Sequence, residues 1–468
     1  MKLSEIILNT GARILHGGPD TEIASISCDS RKVCAGSAFI AVKGSAVDGH
    51  DFIEQAIAAG ASAVIDADRR ALALCADNFY SHPSGRLKLV GITGTNGKTT
   101  TVTLLYNLFR GLGYECGLLS TIANYVGSQR IETSNTTSDP ITINSLMARM
   151  VDAGCEFCFM EVSSIGVEQD RVTGLEFKVG IFSNLTHDHL DYHGTFAEYL
   201  RCKKLFFDNL SPDACAITNA DDRNGMVMMQ NTRAKVMTYS CGAVADHNCR
   251  IMEQSFEGML LKIDGIEAWT RLVGRHNAYN VMAIYCAALA LGLESREALI
   301  GISGLESAPG RLENLRGPRD LSVIIDYAHT PDALENVLKT LRDIAPERNL
   351  VCLFGCGGDR DKSKRPEMAA IAEKGADRIF ITSDNSRSER TEDIIEDIKK
   401  GLTPAGLAKA ICISDRKEAI RAAVSLSPAS STILLAGKGH ETYQILGKEK
   451  MHFDEKEIVK EIFDTIKD

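Results

Sequence analysis

Residues 88–101 read KLVGITGTNGKTTT, and this stretch decides the fold. Its first six residues have the apolar, β-rich pattern of a short buried strand. A Gly-rich turn follows at once, and the chain then enters a helix. Backbone N–H groups of such a turn, together with a helix N-terminus, can cradle a triphosphate. The candidate nucleotide-binding residues are Gly94, Thr95, Asn96, Gly97, Lys98, Thr99 and Thr100, with Lys98 set to reach the β/γ-phosphates and Thr99 to offer its hydroxyl to Mg²⁺. The common form of this loop carries a glycine five residues before Gly97, where this chain has Ile92, so the loop is a variant.

Outward from the loop the strand-then-helix rhythm continues. FCFMEVSS, VGIFSNL and ACAITNA are further short β-rich runs separated by amphipathic stretches, the signature of a parallel sheet. A later series, SVIIDYA, NLVCLFG, RIFITS and STILLAG, predicts a second doubly wound sheet. Before the loop, AFIAVKG and DFIEQAIAAGASAVI suggest a small α/β unit ending in the turn-forming SHPSGR. The fold class expected is α/β in three domains: a small α/β domain over 1–87, a central P-loop-type parallel-sheet domain over 88–310, and a C-terminal Rossmann-like doubly wound domain over 311–468.

A length of 468 residues with 44% hydrophobic and 24% charged residues fits a multidomain globular chain. No apolar run approaches the roughly 18 residues that span a bilayer, and MKLSEIILNTGARIL lacks the apolar stretch of a signal peptide, so no membrane partner and a cytoplasmic location are expected. The fourteen cysteines then read as reduced thiols, and the Cys155-x-x-Cys158 pair, lacking a second pair at zinc-finger spacing, as core packing. A net charge of −10 argues against a nucleic-acid partner.

Hard cations that accompany polyphosphates need oxygen ligands, usually one or two protein carboxylates. Glu161 ends a predicted strand, where a parallel sheet presents ligands at its carboxyl edge. The segment NLTHDHLDYHG holds His187, His189 and His193, which composition alone reads as loop chemistry. Lys203 and Lys204 lie in EYLRCKKLFF, and either reads by itself as a solvated helix lysine.

GTNGKTT, EVSS, DHLDYHG, the lysine four residues after Tyr199, GRHNAYN, APGRLE, IIDYAHTPDAL, GCGGDRDKSKRPEM, TSDNSRSE and AGKGHE occur in one order along nearly the whole chain. In this the sequence resembles the Mur ligase family, and within it the branch that adds diaminopimelate. The resemblance implies an ATP-dependent carboxylate–amine ligase of peptidoglycan precursor synthesis, expected as a monomer. Its implied substrates are UDP-N-acetylmuramoyl-L-alanyl-D-glutamate and meso-diaminopimelate, and its implied cofactors ATP and Mg²⁺, with a CO₂-derived carbamate on Lys203. The offset from Tyr199 favours Lys203 over Lys204 for that group. A carbamate would replace an ammonium, repelled by divalent cations, with an anionic oxygen ligand.

Carried over residue by residue, the resemblance makes Thr99, Glu161, His189 and Lys203 the metal set, while His187 and His193 receive no role. Asn277 and Asn280 are implied near the adenine, Arg311 on the transferring phosphoryl and Asp326 near the ribose. The catalytic set is then Lys98, Glu161, His189, Lys203 and Arg311. In the first domain Cys28 and Ser30, with Ser45, Ala46 and Val47, are implied at a UDP site. Asn135, Thr136, Thr137, Ser163, Gln169 and Arg171 are implied on the muramoyl-dipeptide. Arg360, Asp384, Asn385, Ser386, Arg387, Gly437 and Glu441 are implied on the incoming amino acid. The tetrad usual in diaminopimelate-adding members is Asp-Asn-Pro-Arg, so Ser386 is a departure, and a looser one for the local backbone. L-lysine or another diamino acid as acceptor, a folylpolyglutamate synthase-like ligase, and, from a different class, a P-loop nucleotide switch are the rival readings.

Overall fold

The computed structural model describes residues 1–44, 47–133, 135–186, 190–307 and 310–466. The chain divides into two compact units. The first holds Met1–Leu185, His193–Asn248 and Met282–Gly301, and the second holds Thr186–Tyr192, Cys249–Val281 and Ile302–Asp468.

Two sheets form within the first unit. A four-stranded sheet runs Arg13–His16, Ala63–Asp66, Ser37–Ala41, Ser25–Ser27, with only the first pair antiparallel. Side chains alternate across its pleat. Ala38, Ile40, Ala63 and Ile65 pack on one face with Leu3, Ile6 and Leu72, and Phe39, Ala41 and Val64 on the other with Val33 and Ala56. The stretch DFIEQAIAAGASAVI is therefore split: Ile53–Ala58 is helical, whereas Ala63–Asp66 is a strand.

The central sheet runs Gln129–Ile131, Asn124–Val126, Cys116–Leu119, Phe157–Glu161, Lys88–Thr93, Phe177–Phe182, Cys215–Asn219, Lys235–Ser240. From Cys116–Leu119 to Lys235–Ser240 it is parallel. Lys88–Thr93 lies in its middle, with Ile92 opposite Glu161 and Thr93 opposite Phe182. That register brings the starts of three loops, at Gly94, Val162 and Ser183, to one carboxyl edge. The edge hairpin at Asn124–Ile131 is antiparallel, because a tight turn at Gly127, φ 56°, leaves no room for a crossover helix. Cys158 is fully buried and Cys155 nearly so, in keeping with core packing, and all fourteen cysteines are free thiols.

In the second unit a six-stranded sheet runs Glu313–Gly317, Leu321–Asp326, Ser431–Ala436, Asn349–Phe354, Arg378–Ile381, Ala410–Cys412 and is parallel except at Glu313–Gly317. Ile324, Cys352, Phe354, Ile379 and Leu434 meet the helices Pro331–Ile344, Lys364–Gly375 and Thr391–Lys399 on one face. Val323, Val351, Leu353, Phe380 and Ile433 meet Arg416–Leu426 and Glu455–Thr465 on the other. Helices on both faces of a parallel sheet make the doubly wound layout. With the two sheets of the first unit it completes three α/β domains. An antiparallel ribbon, Gly258–Ile263 with Ile266–Thr270, turns on Asp264, φ 48°, and Gly265, φ 85°. Two consecutive positive φ values are what a two-residue hairpin requires, and the Asp-Gly pair is its sequence signal.

Candidate active site

The loop after Lys88–Thr93 is held by its backbone. Gly94 has φ 152°, and a Cβ placed there would lie 2.0 Å from Ser183 Oγ. Thr95 N donates to Asn184 O at 2.9 Å, Asn96 N to Asn184 Oδ1 at 2.9 Å, and Ser183 Oγ to Asn96 O at 2.7 Å. Gly97, φ 87°, then caps the helix Lys98–Gly111, whose first residues include the buried Thr99 and Thr100. Lys98 Nζ folds back to Gly94 O at 2.9 Å and Thr95 O at 2.8 Å. Such a loop suits a polyphosphate: its glycines keep the cradle open, and a cation and a helix N-terminus sit at its rim.

Lys203, on the helix Phe196–Asp208, is 1% exposed and donates from Nζ to Gly94 O at 2.8 Å. Its ammonium lies 4.6 Å from the Tyr199 ring centre, and Tyr199 Oη is 3.1 Å from Thr95 Oγ1. One helical turn separates Tyr199 from Lys203, so both side chains leave the same face and reach the loop together. Lys204 points elsewhere, to Asp208 at 2.6 Å. Glu161, fully buried, accepts from Thr121 N at 2.8 Å and Thr121 Oγ1 at 3.1 Å. Oxygen donors at Thr99 and Glu161 fit Mg²⁺, which uses few protein ligands. Among the described residues no three His, Cys, Asp or Glu side chains cluster as a metal cage. His189, like His187, Ser45 and Ala46, lies outside the described residues. His193 bonds Ser164 Oγ at 2.9 Å and is buried.

The residues carried over for the dipeptide gather around Glu161. Thr137 Oγ1 donates to Glu161 O at 2.9 Å and accepts from Ser163 N at 3.0 Å, and Thr121 Oγ1 donates to Thr136 Oγ1 at 3.1 Å. Ser163 caps the helix Ser164–Glu168 by accepting from Gly166 N. Arg171 reaches Thr137 O at 2.6 Å and Gln169 Oε1 at 2.6 Å, so Gln169 and Arg171 act as a pair. Asn135 is exposed. In the first sheet's domain Ser30 is buried against Gln55 at 3.2 Å, while Cys28 and Val47 are exposed.

In the second unit the Arg311 guanidinium lies 5.1 Å from the Tyr327 ring centre, and its Nε is buried with no hydrogen-bond partner. A buried orphan donor on a cation is what an anionic group would satisfy. Burial and Arg311 hold His276 down to about 4, and burial, with Arg311, His329 and Lys456, does the same to His440. Both imidazoles are therefore neutral beside the guanidinium. Asp326 accepts from Leu312 N and Ala328 N, each at 2.8 Å, and so ties the Arg311 segment to the strand end. Burial pushes its carboxyl up, against the pull of Arg311. Asn277 Nδ2 donates to Val273 O at 2.8 Å, and Asn280 Nδ2 to Asn277 Oδ1 at 2.9 Å.

The tetrad Asp384–Arg387 follows the strand Arg378–Ile381. Its first three residues are buried, and Arg387, φ 48°, sends Nη1 to Gly358 O at 2.9 Å. Lys438, fully buried, donates to Asn385 Oδ1 at 3.2 Å, Glu441 Oε2 at 3.2 Å and Tyr443 O at 2.8 Å, and lies 3.5 Å from Asp384. Burial raises the Asp384 carboxyl, but Lys438 and Arg416 overcome that and hold it below the usual range. Burial wins at Glu441 and pushes it up, although Lys438 opposes. Gly437, φ 114°, sits beside this cluster, whereas Arg360 is exposed on a neighbouring turn. Residues not foreseen are Thr121, Asn184, Lys438 and Gln444, the last donating to Asp384 O at 3.0 Å. Asn184 at a strand end and Lys438 between two glycines carried the available signal.

Three family models match the chain. The "Mur ligase middle domain" matches residues 92–288, the "Mur ligase, glutamate ligase domain" 310–439 and the "Mur ligase family, catalytic domain" 22–88. The chain is a Mur ligase. This Mur ligase is 47% identical, over 100% of both chains, to a Cytophaga hutchinsonii protein named UDP-N-acetylmuramoyl-L-alanyl-D-glutamate--2,6-diaminopimelate ligase. A Geobacillus kaustophilus protein of that name is 39% identical over 98% of this chain and 99% of its own. A solved structure with the same ligase name aligns at TM-score 0.72 and 30% identity over 99% of each chain. A MurF ligase from Thermotoga maritima in complex with ADP shares the fold at TM-score 0.64, covering 90% of this Mur ligase and 95% of its own chain at 17% identity. Membership makes this Mur ligase an ATP-dependent amide-bond ligase. Among the described residues no helix is long and apolar enough to cross a membrane.

Proposed function

We propose that this Mur ligase joins an amine of meso-diaminopimelate to the side-chain carboxylate of D-glutamate in UDP-N-acetylmuramoyl-L-alanyl-D-glutamate, through an acyl phosphate made with ATP. The observation that carries the reading is the shared name of full-length relatives at 45–47% identity. The tetrad with Arg387 is the site feature that fits a second carboxylate on the acceptor, since a guanidinium fork matches that group and an L-lysine acceptor lacks it.

In this reading Lys98 and the loop N–H groups bind the polyphosphate, and Arg311 offers its buried Nε–H to charge developing on the transferring phosphoryl oxygens. Thr99 and Glu161, with His189, would hold Mg²⁺, which when bound neutralises phosphate charge. Lys203 would carry a carbamate and become an oxygen ligand, as its burial beside the loop suits. Thr137, Gln169 and Arg171 position the dipeptide, and Lys438 holds Asn385 and Glu441 on the acceptor side. ATP and UDP-sugars are cytoplasmic pools, which places the reaction in the cytoplasm. The test is ADP release from the purified protein given ATP, Mg²⁺, the UDP-dipeptide and a panel of diamino acids. Release that depends on both the UDP-dipeptide and meso-diaminopimelate is expected, and release needing neither would sink the reading.

A further inference from the structure

Two turns carry the arginines of the acceptor side, and one ion cluster centred on the buried Arg365 joins them. Arg365, fully buried at the start of the helix Lys364–Gly375, forks onto Glu389 with Nη2 at 2.9 Å from Oε1 and Nη1 at 3.1 Å from Oε2. It also reaches Asp397 Oδ2 at 2.9 Å on the helix Thr391–Lys399 and Gly357 O at 3.3 Å. Glu389 Oε1 accepts from Asp359 N at 2.8 Å, beside Arg360, while Glu389 N donates to Ser386 O at 3.0 Å, beside Arg387. Gly358 N donates to Asn385 O at 2.9 Å, and Ser388 donates to the Asp359 carboxylate.

The two turns are packed backbone to backbone. A Cβ on Gly358 would lie 1.9 Å from Ser386 O, and one on Gly357 would lie 3.0 Å from Arg387 Nη1 and 3.6 Å from Arg360 Cγ. The two arginine side chains thus flank one glycine. Asp359, φ 54°, and Arg387, φ 48°, both take a backbone conformation unfavourable for a non-glycine residue, which persists only where surrounding contacts over-determine it. Arg365 and Lys362 hold the Glu389 carboxyl down to about 2, so the brace is ionised at working pH. Ser386 stands where a proline would stiffen the loop, and the ion cluster supplies stiffness from outside it.

We propose that Arg365, acting through Glu389, is a positioning residue that holds the Arg360 turn against the Arg387 loop and thereby sets the preference for an acceptor with a second carboxylate. The proposal rests on the acceptor assigned under Proposed function. Neither residue is assigned to touch substrate. The cluster lies behind the two turns, and its removal changes where the arginines sit rather than which groups they present.

The experiment is steady-state kinetics on the full chain, wild type against Glu389→Gln and Arg365→Lys, with each substrate varied and with meso-diaminopimelate and L-lysine compared. In Glu389→Gln the KM for meso-diaminopimelate is expected to rise about tenfold or more, with kcat and the KM values for ATP and the UDP-dipeptide within about twofold. The ratio of kcat/KM for diaminopimelate over lysine should fall by a similar factor. Arg365→Lys, which keeps charge without the fork, should show a smaller effect of the same kind. Unchanged discrimination in a variant that melts like wild type, an equal loss against all three substrates, or loss of fold in both variants overturns the proposal. A wild type that rejects diaminopimelate overturns the assigned function itself. A wild type that accepts it while both variants discriminate normally overturns only the positioning role.

Discussion

The ammonium groups of Lys98 and Lys203 converge on one acceptor, the carbonyl oxygen of Gly94, at 2.9 and 2.8 Å. Two like charges near one oxygen repel by a few kcal/mol at the effective dielectric of a partly buried site. Converting one to an anion turns that repulsion into attraction. Lys203, the more buried of the two, is therefore the one expected to carry CO₂. Lys203→Ala should be nearly inactive and partly recovered by millimolar formate or acetate filling the vacated oxygen-ligand position. ¹³C NMR of wild type under ¹³CO₂ should show a carbamate signal that the variant lacks. An alanine variant of normal activity, or a wild type without that signal, would refute the assignment.

Lys98→Ala should leave the melting temperature near that of wild type, because the side chain is only half-buried and bonds its own loop. Ligation should fall by on the order of 10²-fold or more, since phosphoryl transfer depends on such cations. Kinetics beside a thermal melt check both halves.

Arg387→Ala removes the guanidinium that the tetrad presents while leaving Asn385 and Asp384 on Lys438. A site built for a group rejects the analogue lacking it by about 10⁴ to 10⁵, so the variant should lose most of the preference for meso-diaminopimelate over L-lysine. Comparing kcat/KM for meso-diaminopimelate, lanthionine and L-lysine measures this, and lanthionine reports how much latitude Ser386 gives. A wild type that prefers lysine contradicts the reading.

His50 has Nδ1 2.6 Å from Asp48 and Nε2 3.0 Å from Asp66, which also pairs with Arg13 at 2.6 Å. With a carboxylate on each nitrogen, both must donate, which is the imidazolium. The hydrogen bonds to Asp48 and then Asp66 raise its pKa above the ordinary 6.5. A raised folded-state value stabilises fully below about 6.5 and loses that contribution as pH rises through the folded pKa. The melting-temperature gap between wild type and His50→Gln, on the order of a degree or two, should be widest near pH 6 and narrow at higher pH. A gap constant from pH 6 to 9 would contradict it.

What the sequence alone determined is what chain-local pattern encodes. Apolar runs bounded by Gly-rich turns mark strands buried on both faces, so the central and C-terminal sheets were legible, and GTNGKTT marked its own loop because its chemistry lies in consecutive residues. The sequence pointed to Lys203 only through the family resemblance, because a lysine in EYLRCKKLFF reads by itself as a solvated helix residue. Tertiary structure alone decided the rest, because burial and strand order bring together residues that sequence keeps far apart. Lys438 received no role from the sequence, yet it is fully buried and pairs with Asn385 and Glu441. Asn184 holds the loop only because Phe177–Phe182 pairs beside Lys88–Thr93. Arg365 gives no hint in its helix of Glu389, 24 residues further along the chain, since a salt bridge between distant segments is a property of packing, not of spacing.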